Sequence, residues 1–267
     1  MGISLLDLVT EHQSGEENTL KRIVEESGQS YDTEGSGKPV QLDERIFLWE
    51  RKEDILDKMP EATYVIIDAM YFSTTSIELF SKGLESMKLC ETHDEVREQD
   101  VELKIGEGRD DTSMKDGMQM INSPTYVSEK YDGQKKSAMI SYNGARAALR
   151  VIKGTEDSRI MVGSATNAKA LAEKLSDEDE IHLVSSGSGG VHRAEDHIAA
   201  YIITQEFEDE LDETEEEMLK RMIDLTAELE YEGDIPERRR KDIEVLKNIN
   251  ARDVVPEYDR GKGVLTV

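Results

Sequence analysis

The sequence predicts an α/β fold, a three-layer α/β/α sandwich around a mostly parallel sheet, preceded by an N-terminal extension. Three observations lead there. Short apolar runs recur from residue 64 onward, amphipathic stretches of helical period lie between several of them, and the residues just past most runs are Gly, Ser, Thr, Asn or a carboxylate. Strands alternating with helices of this length build sheets that are covered on both faces.

Residues 1–60 read as the extension and 61–267 as the domain. The extension contains a short helix near 16–27, a loop rich in Gly and Ser ("SGQSYDTEGSGKPVQ") and a segment around 44–58. The domain opens on the strand YVII, 64–67, followed by MKLC at 87–90, ELKI at 102–105, SAMIS at 137–141, RIMVG at 159–163 and IHLVS at 181–185. Helical patterns fall at 74–82, 144–153, 167–175 and 194–206. Residues 206–217, EFEDELDETEEE, hold nine acids in twelve positions. Phe207, Leu211, Met218, Met222, Leu225 and Leu229 nevertheless keep close to helical spacing, which predicts a long surface helix with a solvated acidic face. A further helix and a strand near Val254-Val255 close the chain.

The charge balance bounds the partners. Fifty-nine acids against 33 bases give a net charge of −26 over 267 residues, a surface that repels nucleic acid and anionic membranes. Solubility alone accounts for such a surface, and so does adaptation to high salt, where repulsion is screened. An anionic ligand would need local positive help from helix N-termini, an arginine or a metal ion. No apolar run approaches the ~18–20 residues of a membrane span. The first residues, MGISLLDLVTEHQSGEENTL, carry acids where a secretory signal carries bases. A single cysteine, Cys90, excludes an internal disulfide framework and fits a reducing compartment, so a cytoplasmic location is expected.

The residues immediately past the strands carry the most information. Asp68 and "STTS" come after YVII, "GEGRDD" and then "GMQMINSP" after ELKI, "YNGARAA" after SAMIS, "SATNAKA" after RIMVG, and "SGSGGVHRAED" after IHLVS. In open parallel sheets ligands bind at the carboxyl ends of the strands. Each of these loops also reads as an ordinary helix N-cap. Five on one edge describe a pocket of exposed amides and a few acids, suited to a phosphorylated ligand held with a divalent metal. Neither a Walker A motif nor G-x-G-x-x-G is present, so nucleotide binding is unsupported. "HRAEDH", 192–197, suggests zinc but lacks a third ligand at recognisable spacing. His12, His93 and His182 read as structural, and Cys90 as core.

In this order the motifs resemble the 2-phosphosulfolactate phosphatase family, Mg²⁺-dependent enzymes of coenzyme M biosynthesis with an α/β/α fold. The family's I-D-V-L-R-A-S-T-T corresponds to IDAMYFSTT at 67–75, and its G-E-R to GEG at 106–108. Its G-F-D-L-G-N-S-P corresponds to GMQMINSP at 117–124, and its T-T-N-G-T-R-A to SYNGARA at 141–147. G-S-x-x-N-A is intact at 163–168, the E-D pair falls on Glu195-Asp196, and D-V-V-P stands at 253–256. The resemblance implies hydrolysis of a small phosphorylated acid with Mg²⁺. It implies Asp68, Glu107 and Asn143 as catalytic residues, and Asp68, Glu195 and Asp196 as metal ligands. Ser73, Thr74, Thr75, Asn122, Ser123, Gly144 and Asn167 are the implied substrate contacts, and a homo-oligomer is the implied assembly.

Several positions depart from the pattern. Tyr71 replaces an arginine, Phe72 an alanine, and Gly108 the arginine of G-E-R, with Arg109 one residue on; Gln119 replaces an aspartate, Ile121 a glycine, and Ser141 and Ala145 threonines. A tyrosine cannot supply the charged fork that binds phosphate or sulfonate in two places. Two readings therefore stand: a phosphatase with an altered site, or a non-catalytic descendant that binds a ligand or assembles with partners.

Overall fold

The computed structural model describes residues 37–108, 113–208 and 211–267; the helix expected near 16–27 and Arg109 lie outside them. Eleven strands occur among the described residues. They are β1 (Val40–Gln41), β2 (Ile46–Trp49), β3 (Thr63–Ile67), β4 (Ser86–Cys90), β5 (Leu103–Gly106), β6 (Met120–Ile121), β7 (Lys136–Ile140), β8 (Arg159–Gly163), β9 (Ile181–Ser185), β10 (Glu257–Asp259) and β11 (Val264–Thr266). The helices are α1 (Thr74–Ser81), α2 (His93–Glu98), α3 (Pro124–Lys130), α4 (Gly144–Gly154), α5 (Ala168–Lys174), α6 (Ala194–Glu208), α7 (Glu213–Glu230) and α8 (Glu237–Leu246). The result is the expected α/β sandwich on a mostly parallel sheet.

One sheet carries all eleven strands, in the order β1-β2-β9-β3-β8-β10-β11-β4-β7-β5-β6. Strands β2, β9, β3 and β8 form one parallel block, and β4, β7, β5 and β6 another. The hairpin β10–β11 joins the blocks through antiparallel pairs on both sides. β3 is buried along its whole length, and so reads as an unbroken apolar run rather than an alternating one. Its Val65 and Ile67 face a core built with α5–α8, while Tyr64 and Ile66 face a second core shared with β5, β7, α1, α3 and α4. A smaller cluster of Cys90, Val96, Met118, Ala138 and Ile140 covers the outer face of the second block.

Three expectations change. The final strand is not at Val254-Val255: Val255 packs in the core, and pairing starts at Glu257. Pro256 lacks the N–H a ladder needs, and its carbonyl accepts instead from Val162 N at 2.9 Å. Residues 40–49, expected in the extension, run in the sheet, with β2 in parallel register against β9. The acidic segment holds two helices rather than one. Asp212 caps α7 by accepting from Thr214 N and Glu215 N, and Phe207, Leu211 and Met218 pack on the core. No described helix is long and apolar enough to cross a membrane.

Candidate active site

The carboxyl end of β3 carries Asp68, and the chain then makes one π turn, Ala69–Ser73, before α1 begins. Its defining bond runs from Ser73 N to Asp68 O, 3.0 Å. Ser73 clamps the turn twice more: its Oγ accepts from Asp68 N at 2.9 Å and donates to Ile66 O at 3.1 Å. Such single π turns recur at functional sites because they re-aim one residue. Here the turn aims Asp68 across the sheet at the loop after β7. Gly144 N and Ser141 Oγ both donate to Asp68 Oδ2, at 2.9 and 3.0 Å. From the same loop Tyr142 N donates to Glu107 Oε1 at 2.8 Å, so one short segment holds two acids.

The first turn of α6 supplies the other pair. Asp196 accepts from Ala69 N at 2.8 Å and from Gly187 N at 3.1 Å, which ties the end of β3 to the loop after β9. Glu195 is buried beside it, 4.0 Å from Arg239 Nη2. The four acids act on one another. Burial, which outweighs the Gly144 and Ser141 donors, combines with the Glu195 charge to hold the Asp68 carboxyl above its ordinary pKa. Glu107 is pushed up to about 7 by burial and by the Asp68 charge. Asp196 is raised well above the carboxylate range by burial, Asp68 and Glu195. Protonation is favoured first because burial penalises the charged forms, and then because the acids repel one another.

The other implied residues are placed less uniformly. Asn143 lies at the site and accepts from Lys52 Nζ at 3.0 Å. Asn122 is buried near Glu107 and tempers its shift, yet neither of its amide atoms completes a hydrogen bond. Ser73 is spent on the π turn. Thr74 Oγ1 bonds Ala69 O and sits 2.7 Å from Ser164 Oγ. Thr75 is fully buried with its hydroxyl unpartnered. Asn167 closes a capping box with Ser164 and donates to Val254 O at 3.0 Å. Ser123 donates to Asp242 Oδ1 at 2.6 Å. Gln119 is exposed at the β5 edge, accepting from Lys104 N at 2.7 Å, so the charge lost there is outside the acidic group.

Sequence inspection missed two cations and an acid. Lys52, buried on the turn after β2, reaches Asn143 and lowers the cost of charging Asp68. Arg239 on α8 stacks over the Tyr71 ring, 4.5 Å from its centroid, and bonds Glu230 at 3.0 Å. Its Nε and Nη1 are buried without a hydrogen-bond partner. A guanidinium thus stands over the position where the resemblance expected one, delivered from 168 residues further along the chain. Asp242, one turn on, accepts from Thr125 N as well as from Ser123. The run of three arginines at 238–240 was the only local trace of Arg239, and nothing in it distinguishes the buried one.

A second polar group lies beside the loop after β9. Glu50, His192 and His197 offer ligand atoms within 4.8 Å of one another. His192 Nδ1 is 3.9 Å from Glu50 Oε1, and the two imidazoles are 5.2 Å apart between centroids. Burial, with His197 and Arg51 beside it, holds His192 down to about 4. A groove of about 600 Å³ between α5 and the C-terminal segment, lined by Lys169, Glu173, Arg252 and Asp253 among others, contains none of these groups. Such a groove has room but lacks the buried acids gathered at the strand ends. His182 is structural, accepting from Trp49 Nε1 at 2.9 Å and stacking on Tyr64. Cys90 is buried, its thiol pushed up to about 11.

The sequence model of 2-phosphosulpholactate phosphatase matches residues 49–261. Similar proteins include a probable 2-phosphosulfolactate phosphatase of Clostridium botulinum, 27% identical over 55% of this chain and 63% of that protein. Another, from a Synechococcus species, is 27% identical over 54% of this chain and 60% of that protein. One from Thermotoga maritima is 28% identical over 54% and 61%. The chain thus aligns with under two thirds of the length of these relatives.

Proposed function

Because the chain belongs to the 2-phosphosulfolactate phosphatase family, we propose that it hydrolyses the phosphate monoester of a small acid with the help of a divalent cation. One observation carries this: four acids, Asp68, Glu107, Glu195 and Asp196, meet at strand ends and a helix start, and three of them are raised above their ordinary pKa. The donor set is all oxygen, which suits a hard cation such as Mg²⁺, and the buried Asn122 amide beside Glu107 lacks a hydrogen-bond partner that a polar ligand could supply. Asp68, Glu195 and Asp196 would hold the cation. It would neutralise charge on the phosphoryl oxygens.

The chain's own groups do the rest. Glu107, with a pKa near neutrality, would take a proton from the attacking water and return it to the leaving ester oxygen, since acid–base groups work best near the operating pH. Lys52 holds Asn143 in place, and the Asn143 and Asn122 side-chain amides would steady the phosphoryl group, while Gly144 N keeps Asp68 oriented. Arg239 supplies the anion clamp that Tyr71 cannot. Ser73, Thr74 and Asn167 act on the substrate through the turns and caps they fix, Ser123 through its bond to Asp242, and Thr75 keeps a buried hydroxyl without a partner beside them. The test is phosphate release from phosphosulfolactate, phospholactate and related phospho-acids in molar KCl with Mg²⁺. Turnover abolished by Asp68→Asn supports the proposal; a folded chain with no turnover on any of them overturns it.

A second reading has its own support. Phe72 is fully buried and packs so closely on Gly144 that a Cβ there would lie 2.4 Å from its ring. A bulky ring has taken space beside Asp68, as a binding or assembly protein that had lost its substrate would show. The same assay separates the two.

A further inference from the structure

We propose that Glu50, His192 and His197 form a transition-metal site of the zinc class, separate in its chemistry from the acidic group. The residues come from three places: Glu50 comes just after β2, His192 lies just before α6, and His197 is in its first turn. Their ligand atoms already lie within 4.8 Å of one another. Two imidazoles and one carboxylate form the donor set of open zinc centres, in which three protein ligands leave a position for water. Imidazole favours zinc, copper and nickel over magnesium, so this site and the all-oxygen group select different ions. His197 Nε2 also lies 3.2 Å from the Glu50 carbonyl, the kind of backbone contact that orients a ligating ring.

The surroundings favour a cation. Glu50 Oε1 lies 3.9 Å from His192 Nδ1, so the carboxylate and the imidazole already face one another. The neighbouring Arg51 faces Asp54 at 3.5 Å and donates to Gly190 O at 2.7 Å. Asp54 and Glu195 add negative charge next to His197. Glu195 and Asp196 sit between the two histidines on the same turn, so an ion here would brace the turn that also positions Asp196. The site does not depend on the phosphatase reading.

The test uses the full chain without an affinity tag. It is loaded with Zn²⁺, dialysed against buffer containing millimolar Mg²⁺, and its metal content measured; a parallel sample loaded with Co²⁺ is read by visible absorption. The expected result is about one zinc per chain, with the intense bands of four-coordinate cobalt. Losing a ligand or its support typically weakens a metal site about 10–100-fold, so His192→Ala and Glu50→Gln should each lower zinc affinity at least that far. Both alter partly exposed side chains, and thermal melts without metal check that the variants fold. The proposal is overturned if zinc is lost on dialysis, if millimolar Mg²⁺ displaces it, or if the Glu50→Gln/His192→Ala double variant keeps as much as the parent.

Discussion

Asp68 and Glu107 lean on the same loop, but they meet water differently, and Glu107 is the group whose titration should be visible. Its carboxyl is raised to about 7 by burial and the Asp68 charge, above its unfolded value. The native chain therefore keeps a proton that the unfolded chain releases, and this contribution is fully present at low pH and lost as pH rises through 7. Without divalent metal, melting temperature should fall between pH 5 and pH 8, and Glu107→Gln should make that slope shallower, the remainder coming from Asp68 and Asp196. A slope in the variant as steep as in the parent would mean that the Glu107 shift is misassigned. In turnover, the same substitution should remove the inflection near pH 7 and lower kcat by about 10²–10⁴-fold. Arg239 gives a complementary prediction. Arg239→Lys keeps the charge but loses the fork, so KM for a phospho-acid should rise by the equivalent of about 1.5–3 kcal/mol, with kcat little changed. An unchanged KM would place Arg239 in a purely structural pairing with Tyr71 and Glu230.

Among the elements, the joint between β3 and α1 decides where Asp68 points. Its π turn stacks Phe72 against Gly144 at the start of α4, leaving no room for a side chain at 144. Gly144→Ala should cost about 1–3 kcal/mol by overpacking, and Phe72→Ala in the same chain should recover part of it, as chemical-denaturation midpoints would show. Additive losses would mean that the two residues do not share the space. The flanking elements were legible from the sequence. Six predicted strands and four predicted helices occur within a residue or two of their expected bounds, because buried parallel strands and amphipathic helices leave strong local patterns. β2 and β6 were not read as strands, and α2 and α3 were not picked out as helices. These are short segments of two to seven residues, for which periodicity carries little signal.

At the scale of the molecule the dominant fact is 59 acids against 33 bases. Their repulsion is weakened as the screening length falls from about 8 Å at 0.15 M salt to about 3 Å at 1 M. Melting temperature should therefore rise with KCl over this range, with NaCl giving a similar rise if the effect is screening alone. A flat response would mean that local ion pairs, such as Arg159 with Glu178 and Glu257, already neutralise the surface. Sheet connectivity works at the same scale. The β10–β11 hairpin is the seam between two parallel blocks, so residues 257–266 hold together a sheet whose first described strand is Val40–Gln41.

Local order along the chain was enough to identify the family, the alternation of strands and helices, the strand ends at which Asp68 and Glu107 stand, and the helix start that carries Glu195 and Asp196. Those features depend on residues near one another in sequence: burial period, caps, and small motifs in order. Which groups meet across the sheet depended on long-range packing. Lys52 reaches Asn143 over 91 positions, Arg239 covers Tyr71 from α8, and Glu50 joins two histidines more than 140 residues away. No local pattern encodes such meetings, because they arise when separate strands and helices bury their apolar faces together and bring their polar ends to one edge.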